Sequence, residues 1–266
     1  MQLDTKKRPQ EASHTASTPA EFSKRARAQL VWATLLTLVL YFIPYANLVL
    51  YPLRLFVTFI HESGHALASV ASGGNVSSIQ IMPNGAGLTM SSISPWWIWL
   101  VSSGGYLGTA LFGAIMLQIG RIRSQSSPGR AALYAMGFTS AIITLLWCLR
   151  LNDPFSLTTG IGITAALFSM GRFLPVKAAN FTAMFLAVQC SLNALGDIAI
   201  LLHLTVQGSS HNDAANMAKT YLLPAPFWAL LWAGIAIVML FLSLRSYWRA
   251  TSKQSEAQPL GVAKRV

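Results

Sequence analysis

Charged side chains are scarce in this chain of 266 residues. Only 10% of the residues are Asp, Glu, Lys or Arg, whereas 53% are hydrophobic and the mean hydropathy is +0.50. Soluble domains usually carry about a quarter charged residues. The charges also concentrate at the two ends and in a few short gaps, so that long stretches have none. This pattern excludes an ordinary soluble domain and predicts several membrane spans within one domain.

Cysteine and acidic residues are rare as well. The two cysteines, Cys148 and Cys190, both lie in apolar stretches, which excludes a disulfide framework and a cysteine-based zinc site. Nineteen basic residues against eight acidic ones give a net charge of +11. Because the basic residues flank apolar runs, they are topology signals that attract anionic lipid, and no nucleic-acid partner is expected. They include Lys6, Lys7, Arg8, Lys24, Arg25 and Arg27 before the first run, and Arg245, Arg249, Lys253, Lys264 and Arg265 around the end of the last.

Composition divides the chain into three parts. Residues 1–29 are polar and rich in Ser, Thr, Ala and Pro, which predicts a disordered basic tail. They do not resemble a cleavable signal, whose apolar core lies nearer the start. Residues 30–248 form a predicted multi-span membrane domain, and residues 249–266 a second basic tail.

Seven apolar runs predict an all-α membrane protein with about six or seven transmembrane helices. Most have the roughly 20 residues that a helix needs to cross the bilayer. Tryptophans occur near their ends, as is typical of the membrane interface. The runs are Leu30–Tyr51, Leu53–Ser72, Trp96–Gly120, Ala131–Leu149, Phe155–Gly171, Ala178–Leu204 and Ala225–Tyr247, and the tryptophans are Trp96, Trp97, Trp99, Trp228, Trp232 and Trp248.

The orientation of these spans follows from the basic residues. Two basic tails predict that both ends are cytoplasmic, which requires an even number of crossings. The gap with Arg121, Arg123 and Arg130 is also predicted to be cytoplasmic. Seven runs therefore require either a re-entrant segment, such as Leu53–Ser72 or Phe155–Gly171, or a tail that breaks the rule.

Two local patterns predict features of the packing. Residues Val76–Met90 contain Asn84-Gly85 between short extended runs, which favours a membrane-associated β-hairpin; a plain connecting loop is the alternative. Gly104 and Gly108 lie one helical turn apart, a spacing that lets two membrane helices approach closely.

The sequence His61-Glu62-Ser63-Gly64-His65 lies within an apolar run and contains candidate metal ligands and a candidate catalytic residue. Residues four apart share one face of a helix, so His61 and His65 can offer two imidazoles to one ion. Glu62 is then placed to take a proton from a metal-activated water. Ionisable residues inside membrane segments are costly and usually mark function.

A catalytic zinc needs a third protein ligand. After the tails and Glu62 are set aside, the remaining carboxylates are Asp153, Asp197 and Asp213. Asp197 is favoured because it lies in an apolar run, where a carboxylate has no inexpensive partner except a cation. Asp213 and Asp153 lie in polar gaps and are the alternatives. His203 and His211 are weaker candidates still.

The motif His61-Glu62-Ser63-Gly64-His65-Ala66-Leu67-Ala68 resembles the site-2 protease group of intramembrane metalloproteases, the M50 peptidases. Gly73-Gly74, the hairpin, Gly105-Tyr106-Leu107-Gly108 and a late stretch from Asp213 to Trp228 resemble the M50B-like branch. The similarity spans roughly residues 56–232. It implies zinc held by His61, His65 and an aspartate on a later helix, with Glu62 as general base. In the family that aspartate typically follows Leu and precedes Gly, whereas Gly196 and Ile198 flank Asp197.

The predicted function is therefore zinc-dependent hydrolysis of a peptide bond in a transmembrane protein substrate. The resemblance also implies cleavage near the cytoplasmic face and location in a bacterial inner membrane. An inactive family member that binds membrane partners is one alternative. A metal or solute transporter is another, but it would spread ionisable residues over several spans, whereas here they concentrate in one segment and Asp197.

Overall fold

The computed structural model describes residues 19–42, 46–119, 127–151, 153–206 and 212–256. This part of the chain contains eight α-helices and one two-stranded sheet. The helices are α1 (Pro19–Phe42), α2 (Ala46–Ala71), α3 (Ile98–Ile119), α4 (Pro128–Ile143), α5 (Pro154–Phe173), α6 (Val176–Val206), α7 (Asp213–Thr220) and α8 (Ala225–Glu256). The strands are β1 (Asn75–Ile81) and β2 (Gly87–Ser92). A 3₁₀ turn at Pro95–Trp97 leads into α3, and a π-helical turn at Thr144–Cys148 followed by a 3₁₀ turn at Leu149–Leu151 extends α4.

The predicted helical spans fall on these helices with one exception. The bounds of Leu30–Tyr51 are wrong, because α1 ends at Phe42 and Tyr51 belongs to α2, which begins at Ala46. Among the described residues, three helical stretches are long and apolar enough to cross a membrane: Pro95–Ile119, Pro128–Cys148 and Ala225–Arg249. The total of six or seven crossings stays a prediction.

Helix α1 begins at Pro19 and α8 extends to Glu256, so both run into the predicted tails. The start of α1 is tied to the bundle. The Arg27 guanidinium lies 5.1 Å from the centre of the Trp248 ring, and Gln29 Nε2 donates to the Lys177 carbonyl at 3.2 Å. The remainder of the predicted tails, residues 1–18 and 257–266, lies outside the described residues.

The predicted hairpin is confirmed. Strands β1 and β2 pair antiparallel from Asn75–Ser92 to Ile81–Gly87, with an irregularity between Val76 and Ser78. At the turn, Gly85 has φ of +82°, a conformation that glycine adopts without strain. The hairpin lies along α2, where Thr58 Oγ1 donates to the Gly85 carbonyl at 2.8 Å.

The predicted close helix approach is also confirmed, and it joins α2 to α3. A Cβ on Gly104 would lie 2.8 Å from both the Ala68 Cβ and the Gly64 carbonyl oxygen. A Cβ on Gly64 would collide with the Gly104 carbonyl, and one on Gly108 would lie 3.3 Å from the Gly64 Cα. This near-contact of backbones brings the motif face of α2 against the first turns of α3.

Candidate metal and catalytic site

Helix α2 places the two motif histidines side by side. The Nε2 atoms of His61 and His65 are 3.1 Å apart. The Nδ1 atom of His65 lies 2.6 Å from the Val101 carbonyl oxygen on α3, which can only accept a hydrogen bond. His65 therefore carries its proton on Nδ1 and presents the lone pair of Nε2 towards His61, the arrangement usual for metal-binding histidines.

Asp213 completes a group of three ligand residues. Its Oδ2 atom lies 3.4 Å from His65 Nε2, and the ligand atoms of His61, His65 and Asp213 all lie within 4.8 Å of one another. Asn212 fixes this position because its side chain accepts a hydrogen bond from the Ala215 backbone N–H at 2.8 Å and caps α7.

Of the other candidate ligands, the structure describes the side chain of Asp153 alone. Asp197 lies on α6, but its side chain, like that of His203, is outside the described residues, and so is the whole of His211. Asp153 caps α5 by accepting a hydrogen bond from the Ser156 backbone N–H at 3.0 Å and another from its hydroxyl. These hydrogen bonds lower the pKa of Asp153. The structure therefore explains Asp153 as a helix cap.

Two of the three ligand-atom distances match a tetrahedral zinc ion. With zinc–ligand distances of about 2.0–2.2 Å, neighbouring tetrahedral ligand atoms lie roughly 3.3–3.6 Å apart, close to the 3.1 Å between His61 and His65 and the 3.4 Å between His65 and Asp213. The spread of the group reaches 4.8 Å, so an ion would draw His61 and Asp213 closer together. Gly105 on α3 faces the same point, because a Cβ there would collide with Nε2 of both histidines. A glycine at this position keeps open the space that an ion needs, and the donor set of two imidazoles and one carboxylate suits zinc.

Glu62 lies next to this group and is 6% exposed. The Thr89 hydroxyl on β2 lies 2.7 Å from Glu62 Oε2 and 3.0 Å from the Glu62 carbonyl oxygen, so it donates to one of them at a time. A Cβ on Gly87 would lie 2.6 Å from Glu62 Oε1. The hairpin thus holds the carboxylate through Thr89 and leaves it room through Gly87.

An aromatic pair supports His61 from α3 and α8. The Tyr106 ring meets His61 edge-on with centroids 4.6 Å apart, and it stacks on Trp232 at 5.3 Å. Trp232 Nε1 donates to Ser103 Oγ at 2.9 Å, which fixes the indole. Trp232 is 1% exposed, so its predicted interfacial position is wrong. Its hydrogen bond to another helix satisfies the indole N–H inside the protein.

A cavity of about 720 Å³ connects these groups. Its wall consists of the motif face of α2, strand β2, the first turns of α3, and α7. Strand β2 lines the cavity with Leu88, Thr89 and Ser91. Strand β1 pairs with one edge of β2. The cavity has both polar and apolar lining.

Sequence reasoning did not identify Thr89, Gly87, Gly105, Tyr106 or Val101 as parts of the site. The Val101 contribution is a backbone carbonyl, which leaves no mark in the sequence. Gly105 and Tyr106 appear in the pattern that resembles the M50B-like branch, but only the structure shows Gly105 against the two histidines. Thr89 has no sequence signal beyond its position in the hairpin.

Comparison with known proteins identifies the family of this chain. A family model described as Peptidase M50B-like matches residues 31–243, which is most of the chain. The match includes α2, the hairpin and α7, and hence every residue of the site described above. The chain matches no curated protein and no solved structure. The chain therefore belongs to the Peptidase M50B-like family.

Proposed function

We propose that this protein is a zinc-dependent intramembrane protease that hydrolyses a peptide bond in a membrane protein. The observation that carries the proposal is the convergence of His61, His65 and Asp213 beside Glu62 in one cavity. Family membership supports a peptidase. Three apolar helices among the described residues support a membrane location.

His61, His65 and Asp213 would hold the zinc ion. Asp213 replaces Asp197 as the proposed third ligand because its carboxylate lies 3.4 Å from His65 Nε2. The hydrogen bond from His65 Nδ1 to Val101 fixes the ring orientation that this requires. Zinc, when bound, supplies Lewis acidity that polarises a peptide carbonyl and makes water more acidic.

Glu62 is the proposed general base. It takes a proton from the attacking water and then delivers it to the nitrogen of the leaving amine, so that the peptide bond breaks with no net change at the carboxylate. Thr89 holds this carboxylate from β2, and Gly87 provides the space in which it moves between the two tasks.

The hairpin is the proposed binding edge for substrate. A helical substrate hides its carbonyl groups in hydrogen bonds, so it must unwind before hydrolysis. Strand β2 contributes Leu88, Thr89 and Ser91 to the cavity wall, and in the described part of the chain only β1 pairs with it. An unwound segment can add to the other edge of β2 and place its backbone next to Glu62.

The test is a comparison of wild type with Glu62→Gln in membranes. We expect new protein N-termini, located within or next to transmembrane segments, in the presence of wild type and their loss with the variant. Bound zinc is measured in both proteins and is expected to be equal, since Glu62 is not a ligand. If Glu62→Gln keeps its zinc and produces the same new termini, Glu62 is not the general base.

The same experiment addresses the inactive alternative. A family member that only binds membrane partners would produce no wild-type-dependent termini while still holding zinc. The buried Glu62 beside the ligand group argues against that alternative, because a protein without hydrolytic activity has no need for a costly buried carboxylate there.

A further inference from the structure

One buried serine in the wall of the cavity has no part in the mechanism proposed above. Ser102 on α3 is 5% exposed and belongs to the residues that line the cavity. Among the residues that the structure describes, none forms a hydrogen bond with its hydroxyl. A buried hydroxyl without a partner is costly to a folded protein, so its presence calls for an explanation.

Other hydroxyl side chains of α3 show how such a group is ordinarily satisfied. Ser103, the next residue, donates to the Trp99 carbonyl oxygen at 2.6 Å, one turn before it. Thr109 donates to the Gly105 carbonyl oxygen at 2.7 Å in the same way. Ser102 does not use this local hydrogen bond, although the helix continues through it without interruption. Its hydroxyl can therefore donate to a molecule in the cavity.

The position of Ser102 on α3 places it beside the group of metal-ligand residues. It lies three residues before Gly105, where an added Cβ would collide with Nε2 of both His61 and His65. Side chains three residues apart share one face of a helix, and their Cβ atoms lie about 5–6 Å apart. A hydrogen bond between two oxygen atoms spans about 2.5–3.0 Å. One substrate oxygen thus fits between the ligand group and the Ser102 hydroxyl.

Glu62 and Ser102 belong to different walls of the cavity. Glu62 projects from α2, and Thr89 of strand β2 holds its carboxylate. Ser102 belongs to α3, directly after Val101, whose carbonyl oxygen lies 2.6 Å from His65 Nδ1. The stretch of backbone that orients the His65 ring therefore also fixes Ser102. A peptide group next to the histidines can meet the carboxylate from one wall and the hydroxyl from the other.

We propose that Ser102 is a catalytic residue that donates a hydrogen bond to the oxygen of the scissile carbonyl group. This inference rests on the proposed function. When water attacks, the carbonyl carbon becomes tetrahedral and negative charge accumulates on that oxygen. A donor fixed at this position stabilises the transition state more than the substrate. The hydroxyl keeps its own proton, since Glu62 performs both proton transfers, and Ser102 therefore changes the rate of hydrolysis but not its products.

The kinetic test compares wild type with Ser102→Ala on a synthetic peptide that spans a cleavage site located from the new N-termini. We expect kcat to fall by about 10- to 100-fold with KM unchanged, because the hydrogen bond forms fully only in the transition state. Zinc content and Tm are expected to stay at the wild-type values, since the hydroxyl bonds to none of the described residues. Ser102→Gly removes the same hydroxyl and serves if Ser102→Ala does not fold.

Ser191→Ala on α6 is the matched control. Ser191 is also buried, at 3% exposure, but its hydroxyl donates to the Ala187 carbonyl oxygen of its own helix at 3.1 Å. This serine lies outside the cavity wall. The control is expected to keep the wild-type kcat, whereas a loss equal to that of Ser102→Ala would mean that any buried serine has this effect and would overturn the inference.

A binding measurement tests the same hydrogen bond without turnover. The probe is N-phosphoryl-leucyl-tryptophan, whose tetrahedral phosphoryl group carries negative oxygens like the attacked carbonyl. Its Kd, measured by calorimetry in detergent, is expected to rise by about 10- to 100-fold in Ser102→Ala, as for loss of a hydrogen bond to a charged group. Ser191→Ala is expected to bind the probe as tightly as wild type.

The inference is overturned if Ser102→Ala retains the wild-type kcat or the wild-type Kd for the probe. It is also overturned if the variant raises KM alone, because Ser102 would then contact the substrate equally in the ground state. The two proposals fail differently. Wild type that neither produces new termini nor binds the probe would remove both, whereas cleavage that Ser102→Ala does not slow would remove only the role of Ser102.

Discussion

At the scale of single residues, Asp213 shows how a carboxylate in a polar gap becomes part of a group of metal-ligand residues. It is the first residue of the short helix α7, and Asn212 caps that helix. The start of α7 packs against α3, so the carboxylate reaches the histidines of α2. Its distance to His65 results from the packing of separate helices and has no counterpart in the local sequence.

The first prediction concerns the third ligand. Asp213→Ala is expected to lose most of its zinc, because two imidazoles alone do not complete a catalytic zinc site. Wild type is expected to hold about one zinc per chain. The measurement is elemental analysis of detergent-purified protein. Asp197→Ala is the matched control and is expected to keep its zinc; loss of zinc from this control with retention in Asp213→Ala would restore Asp197 as the ligand.

At the scale of elements, two short features position the site. The hairpin presents Thr89 to Glu62, and the glycines of α2 and α3 bring the two helix backbones together. Both features were predictable, since Asn84-Gly85 favours a turn and Gly104 with Gly108 favours close packing. Their partners were not predictable. The spacing of Gly104 and Gly108 predicts that a second helix packs closely against α3. Only the structure shows that this helix is α2 and that Gly64 forms the contact.

The second prediction tests this helix contact. Gly104→Ala is expected to destabilise the protein by about 1–3 kcal/mol, because the new methyl group meets the Ala68 Cβ and the Gly64 carbonyl at 2.8 Å. This corresponds to a fall of several degrees in Tm, measured by thermal unfolding in detergent. Gly162→Ala on α5 is the control, since nothing lies within 4 Å of its Cβ. It is expected to be neutral or to stabilise by up to about 1 kcal/mol; equal destabilisation by both variants would contradict the packing argument.

At the scale of the whole molecule, the proposed metal joins parts of the chain that are distant in sequence. His61 and His65 lie on α2, whereas Asp213 lies on α7. An ion that binds the folded state and not the unfolded chain stabilises it by mass action, by about 2.7 kcal/mol when its concentration is 100 times Kd. The ion would then join α7 directly to α2, whereas the packing of α7 is chiefly against α3 and α8.

The third prediction follows from this linkage. Removal of zinc with a chelator is expected to lower the Tm of wild type by several degrees and to leave the Tm of Asp213→Ala unchanged, since that variant has no ion to lose. Thermal unfolding with and without chelator, followed by zinc addition, checks both the loss and its recovery. An equal shift in the two proteins would mean that the chelator acts elsewhere.

The sequence by itself determined the apolar and helical character of the chain, the hairpin, and the pair His61 and His65 with Glu62 between them. These features depend on composition and on spacing within one element, and such local rules operate before any tertiary contact forms. The tertiary structure decided that, among the described carboxylates, Asp213 meets the histidines, that Gly105 leaves space for an ion, and that Trp232 lies inside the protein. Each of those outcomes depends on how separate helices pack. Small residues in an apolar sequence predict that a close helix contact forms, but they do not identify the partner helix.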